Sequence, residues 1–97
     1  MESTIRCASK EELQRKSNYL IIDVRTNEER DNGHIQNSIH IPIDELETKL
    51  SAFPKSKLYI TACGKGGGRS IKAAEILLKY NLISQWLCGG TIGWLEK

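Results

Sequence analysis

No stretch of this chain approaches the ~18 consecutive apolar residues of a membrane span. Its amino terminus also lacks a basic-then-apolar leader. These absences predict a soluble, cytoplasmic protein with no membrane partner. There is no dense Lys/Arg block and no basic–aromatic alternation, so no nucleic-acid partner is expected. Three cysteines, Cys7, Cys63 and Cys88, are too few for a complete disulfide framework and leave at least one thiol free. No two of them lie close enough in sequence for a zinc knuckle, and no metal is expected. Internal repeats, linkers and low-complexity tracts are missing as well, apart from one glycine run.

What is present is 97 residues, 39% of them hydrophobic and 27% charged, with 14 Lys and Arg against 12 Asp and Glu. That length predicts a single domain over residues 1–97, burying roughly 60–65% of its extended surface and leaving no room for separate cofactor and substrate domains. The charge is uneven. Residues 10–50 carry 6 basic and 9 acidic side chains, whereas residues 51–97 carry 7 basic and 2 acidic ones. The second half therefore either favours a small anion or simply exposes solvated helix faces.

Residues 19–24 and 58–62 are short, largely apolar runs without period-2 alternation, the pattern of strands buried on both faces. Residues 5–8, 38–41 and 85–88 are further strand candidates. Between them, residues 9–16 open with Ser9 and Glu12 at capping-box spacing. Residues 44–50 place Leu46 and Leu50 on one face, and residues 70–80 place Ile71, Ala74 and Leu78 on a stripe with Leu77 beside it. Strands alternating with helices at these lengths imply an α/β domain with a mostly parallel sheet.

The glycine run carries the chemistry. Cys63-Gly64-Lys65-Gly66-Gly67-Gly68-Arg69-Ser70 follows a predicted strand and leads into an amphipathic helix. Ligands of open parallel sheets sit beyond the carboxyl ends of the strands, where Cys63 falls. The glycines Gly64, Gly66, Gly67 and Gly68 let the backbone curl so that successive N–H groups converge on an anion. The helix start near Ser70 adds its own free N–H groups, and Arg69 adds a two-pronged donor. The same field favours the Cys63 thiolate. Lys65, the one charged side chain among the loop's five middle residues, is read as tuning substrate attraction.

The spacing Cys-x5-Arg-Ser also fits cysteine-dependent phosphatases. Their leaving alkoxide needs a proton from a placed acid, and the loop and its helix start contain no carboxylate; the nearest downstream is Glu75. Sulfite, expelled when a thiolate attacks a sulfane sulfur, needs no proton.

At this point the sequence resembles the single-domain form of the rhodanese family of sulfurtransferases, over nearly the whole chain. The residues concerned are Ile22-Asp23-Val24-Arg25, Glu28-Glu29, Gly33-His34-Ile35, residues 38–42, the Cys63–Ser70 loop, and Leu87-Cys88-Gly89-Gly90 followed by Gly93-Trp94. The resemblance implies a three-layer α/β fold with a five-stranded parallel sheet and helices on both faces. It also implies a Cys63 that carries sulfur as a persulfide, from a donor such as thiosulfate to cyanide, a thiol or a protein, with no cofactor. One departure is the seven-residue span from Cys63 to Arg69. Single-domain sulfurtransferases usually have a loop one residue shorter, and the longer span is that of Cdc25-type phosphatases and arsenate reductases, although Ala62 stands where those carry histidine.

Cys63 is thus the expected nucleophile, and Gly64, Lys65, Gly66, Gly67, Gly68, Arg69 and Ser70 the expected anion site. The family pattern implies that Asp23 and Arg25 brace the loop by pairing or hydrogen bonding, and His34 is read as a residue that fixes backbone groups. Cys88 is either a small buried apolar residue or placed to approach Cys63 and resolve its persulfide. Three functional classes remain open: a sulfurtransferase, a phosphatase or arsenate reductase, and a redox-sensing or binding module without turnover.

Overall fold

The computed structural model describes residues 5–96. The elements run β1 (Cys7–Ala8), α1 (Lys10–Gln14), β2 (Tyr19–Asp23), α2 (Asn27–Asp31), β3 (Ile39–His40), α3 (Leu46–Lys49), β4 (Leu58–Ala62), α4 (Gly68–Lys79), β5 (Ile83–Leu87) and α5 (Gly90–Leu95). Single 3-10 turns at Ile43–Glu45 and Leu50–Ala52 flank α3. The five strands form one sheet in the order β1-β5-β4-β2-β3, with every pairing parallel. Among the described residues, no helix is long and apolar enough to cross a membrane.

Each central strand is buried on both faces, which is why its sequence shows no alternation of polarity. Successive residues of one strand serve opposite faces. Ile22, Val24 and Tyr59 join Leu46, Leu50, Ala73 and Leu77 in one cluster. Ile21, Ile60 and Ala62 join Leu13, Ile35 and Leu87 in the other, with Trp94 packed against it. α3 and α4 therefore cover one face, and α1 and α5 the other.

α1 has the capping box expected at Ser9: its hydroxyl accepts from the Glu12 N–H, and the Glu12 carboxylate accepts from the Ser9 N–H. α4 departs from the expected stripe. Its buried side is Ser70, Ala73, Ala74 and Leu77, while Leu78 is exposed. Small residues at 70, 73 and 74 let the helix lie close to the sheet, and that closeness decides which face turns inward.

The strand order places a switch point between β2 and β4. From β2 the chain proceeds to β3 on one side, and from β4 it proceeds to β5 on the other. A crevice opens beyond two such strands at their carboxyl ends. Asp23 and Ala62 are in register there, so the two segments that follow, Val24–Arg25 and Cys63–Gly64, emerge side by side.

Candidate active site

Cys63 leaves β4 and is buried, with only 4% of its surface exposed. Its Sγ lies 3.3 Å from the Ser70 Oγ, which itself donates to the Gly67 carbonyl at 2.9 Å. Ser70, fully buried, accepts through its carbonyl from Thr61 Oγ1 at 2.7 Å, which fastens the first turn of α4 to β4. A hydroxyl can accept from a thiol or rotate to donate to a thiolate. The sulfur therefore has a partner in either protonation state.

The loop is shaped from behind. Thr91 N–H donates to the Cys63 carbonyl at 2.8 Å, and Ile92 N–H donates to the Gly64 carbonyl at 2.9 Å. In a trans peptide the C=O and N–H point in opposite directions. With these two carbonyls turned toward α5, the N–H groups of Gly64 and Lys65 are directed to the opposite side. Among the described residues, no protein acceptor takes the backbone N–H of residues 64–70. Positive φ angles at Gly66 (90°) and Gly67 (94°) complete the curl and start α4 at Gly68, two residues earlier than expected. The result is a run of unpaired donors over a buried sulfur, an arrangement suited to an anion.

The corner behind the loop tolerates only glycine. A Cβ on Gly90, whose φ is +64°, would stand 2.5 Å from the Gly66 nitrogen, 2.6 Å from the Gly64 oxygen and 2.8 Å from the Cys63 oxygen.

Arg69 extends to the rim, where Glu29 of α2 grips it through two bonds, Nη1 to Oε1 at 2.7 Å and Nη2 to Oε2 at 3.0 Å. The Thr26 N–H and hydroxyl also donate to Glu29 Oε1. The hydrogen bonds from Arg69, aided by those from Thr26 and outweighing partial desolvation, pull the Glu29 carboxyl down to about 2. Sequence reasoning found no carboxylate at the loop, and the structure corrects this: Glu29 arrives from 40 residues upstream. Its signal was legible as a capping box, Thr26-x-x-Glu29, which also marks the unexpected helix α2.

Asp23 and Arg25 lie beneath the adjoining crevice. Arg25 Nε and Nη2 each donate to Asp23 at 2.9 Å, and Nη2 also reaches the Gly33 carbonyl at 2.7 Å. Arg30, not singled out from the sequence, adds a 3.2 Å bond to Asp23 and a 3.0 Å bond to the Ser38 carbonyl. Burial raises the Asp23 carboxyl, but the bonds from Arg25 and the charges of both arginines outweigh it, so its net shift is downward. His34 is exposed and has no hydrogen-bond partner among the described residues. The ring that fixes backbone here is His40, whose Nε2 lies 2.7 Å from the Arg25 carbonyl. Lys65 is exposed at the loop tip.

Cys88 does not approach Cys63. It is disulfide-bonded to Cys7, 81 residues away in sequence, and Cys63 is the free cysteine. Adjacent parallel strands place the two together, an encounter that sequence spacing does not reveal. Among the described residues, no group of three or more His, Cys, Asp or Glu side chains is arranged to hold a metal.

Comparison with known proteins agrees with this architecture. The model of the rhodanese-like domain matches residues 8–97. A Bacillus subtilis (strain 168) protein named "Putative sulfurtransferase YtwF" is 29% identical over 87 residues, covering 90% of this chain and 84% of that one. A rhodanese-related protein from Thermoplasma volcanium superposes with a TM-score of 0.83 at 34% identity, covering 93% of this chain and 90% of that one. A rhodanese-like domain protein from Staphylococcus aureus gives 0.84 at 31%, covering 96% and 94%.

Proposed function

The chain belongs to the rhodanese-like domain family, and from that membership we propose that it is a sulfurtransferase with Cys63 as nucleophile and thiosulfate or a persulfide as donor. The observation that supports the reading is the row of N–H groups from Gly64 to Ser70, without a protein acceptor among the described residues, beside the buried sulfur of a cysteine outside any disulfide.

The reaction has two displacements. In the first, the Cys63 thiolate attacks the outer sulfur of thiosulfate; a new S–S bond forms, the donor's S–S bond breaks, and sulfite leaves with the electron pair. The loop amides and the Arg69 guanidinium hold the sulfonate oxygens, while the Ser70 hydroxyl turns its proton toward the thiolate. In the second, an acceptor thiolate or cyanide attacks the outer sulfur of the Cys63 persulfide, and the Cys63 thiolate is released as leaving group. The amides that held the sulfonate stabilise that thiolate too, and no cofactor enters the balance.

A phosphatase or arsenate reductase reading draws on the seven-residue span from Cys63 to Arg69. Against it stands the state of the nearby carboxylate. Glu29, held at about 2 by Arg69, is ionised at neutral pH and has no proton for a leaving alkoxide.

The test is intact mass after thiosulfate treatment, together with thiocyanate formation from thiosulfate and cyanide. The expected result is one added sulfur atom on Cys63, removed by cyanide and absent from Cys63→Ser. Full activity in Cys63→Ser refutes the mechanism, and turnover of an aryl phosphate or arsenate with none of thiosulfate selects the other chemistry.

A further inference from the structure

A second sulfur centre lies behind the loop. Cys7 in the edge strand β1 and Cys88 just after β5 are bonded to each other, and neither is fully buried. Cys88 lines a cleft of about 560 Å³ together with Ser9, Lys10, Gln14, Gly89 and Trp94, and Cys7 does not line it. That volume is within the range of small-molecule sites. Lys10 closes one side of the cleft, with Nζ bonded to the Trp94 carbonyl at 2.6 Å and poised 5.3 Å from the centre of its ring.

The position of this disulfide connects it to Cys63. β1 is two residues long and, among the described residues, pairs only with β5. Cys88 N–H donates to the Ala8 carbonyl at 2.9 Å, so one covalent bond and one hydrogen bond pin the residue at which the Gly89–Gly90 corner begins. Three and four residues beyond Cys88, Thr91 and Ile92 hold the Cys63 and Gly64 carbonyls. Gly90 packs directly against the backbone of Gly66 and Gly64. A change at Cys88 thus reaches the loop through the main chain of Gly89, Gly90, Thr91 and Ile92.

We propose that this cleft is a thiol–disulfide exchange site for a low-molecular-weight thiol, and that opening the Cys7–Cys88 bridge there loosens the Cys63 loop. The entering thiolate attacks Cys88 Sγ, forming a mixed disulfide and breaking the bridge; Cys7 leaves as a thiolate. A second thiol then attacks the entering sulfur and releases Cys88, so the bridge gains two electrons and the two small thiols are oxidised to their disulfide. The loop consequence extends the sulfurtransferase reading, but the exchange itself does not depend on it.

The experiment compares oxidised protein, protein treated with 2-mercaptoethanol or dithiothreitol, and a Cys7→Ser/Cys88→Ser variant. Mixed disulfides trapped by acid quench are mapped by mass. Alkylation of Cys63 by iodoacetamide and amide exchange of residues 64–70 and 89–92 are read in parallel. The expected result is 2-mercaptoethanol on Cys88, with Cys63 alkylation and exchange in both segments rising about fivefold, the factor that loss of one hydrogen bond carries, while residues 19–23 and 58–62 keep their protection. The proposal is overturned by an adduct on Cys7 alone, by equal rates in all forms, or by a rise that includes the central strands. Absence of any Cys63 persulfide, with the rate difference intact, overturns the sulfurtransferase reading and leaves the exchange site standing.

Discussion

Gly90→Ala tests whether the loop rests on backbone packed against backbone. The added methyl meets Gly66 N, Gly64 O and Cys63 O at 2.5–2.8 Å, all main-chain atoms that cannot swing aside like the end of a long side chain. Holding an alanine at a φ of +64° costs about 1–2 kcal/mol, and displacing the packed loop adds about 1–3 kcal/mol. The sum, about 2–5 kcal/mol, is a large share of the ~5–15 kcal/mol that holds a small domain together. Gly68→Ala is the control: beyond its chain neighbours and its own helix backbone, none of the described residues lies within 4 Å of its added methyl, and the residue opens α4. Replacing glycine there in a helix gains up to ~1 kcal/mol. Urea unfolding of both variants measures the pair, and persulfide yield after thiosulfate treatment measures whether the loop keeps its shape. Gly90→Ala within ~0.5 kcal/mol of the parent, or Gly68→Ala losing as much as Gly90→Ala, refutes the packing argument.

Asp23→Asn removes the buried charge that faces Arg25 and Arg30 and is expected to cost about 3–5 kcal/mol by urea unfolding. Because the Asp23 carboxyl is depressed from its usual 3.8, its contribution is complete above that value and is lost as pH falls below it; a pH series on parent and variant should therefore converge in acid. Glu29→Gln breaks an ion pair whose partners are 42% and 36% exposed, so its stability effect is expected to be under ~1 kcal/mol. The same change leaves the Arg69 charge unopposed, and steady-state kinetics should show the thiosulfate KM falling about two- to fivefold. Thr91→Val replaces a buried hydroxyl that has no hydrogen-bond partner among the described residues and should raise stability by up to ~1–2 kcal/mol in thermal unfolding; a loss instead assigns that hydroxyl a partner.

The sequence yielded the parallel α/β sheet because strands buried on both faces, such as 19–23 and 58–62, show as continuous apolar runs. The loop stood out in the sequence for a similar reason: its cysteine, glycines and arginine are contiguous. What escaped was everything assembled across the sheet. Glu29, Arg30 and His40 reach the site from elements whose proximity depends on strand order, and Cys7 meets Cys88 only because β1 pairs with β5. Short elements hid too: α2 has five residues with none buried, so it produces no apolar stripe to read. The α4 face was misjudged by one position because hydrophobicity alone favoured Leu78, whereas close helix–sheet packing favours the small residues Ser70, Ala73 and Ala74.

The clamp on the Cys63 and Gly64 carbonyls is made by amides common to every amino acid except proline. The exposed side chain at 92 is therefore free to drift, or to be redesigned for a new partner, without reshaping the cradle, whereas Thr91 is held by its burial. Ile92, 47% exposed beside the loop, is the natural place to begin such tailoring. Proline at either position is the substitution this freedom does not cover.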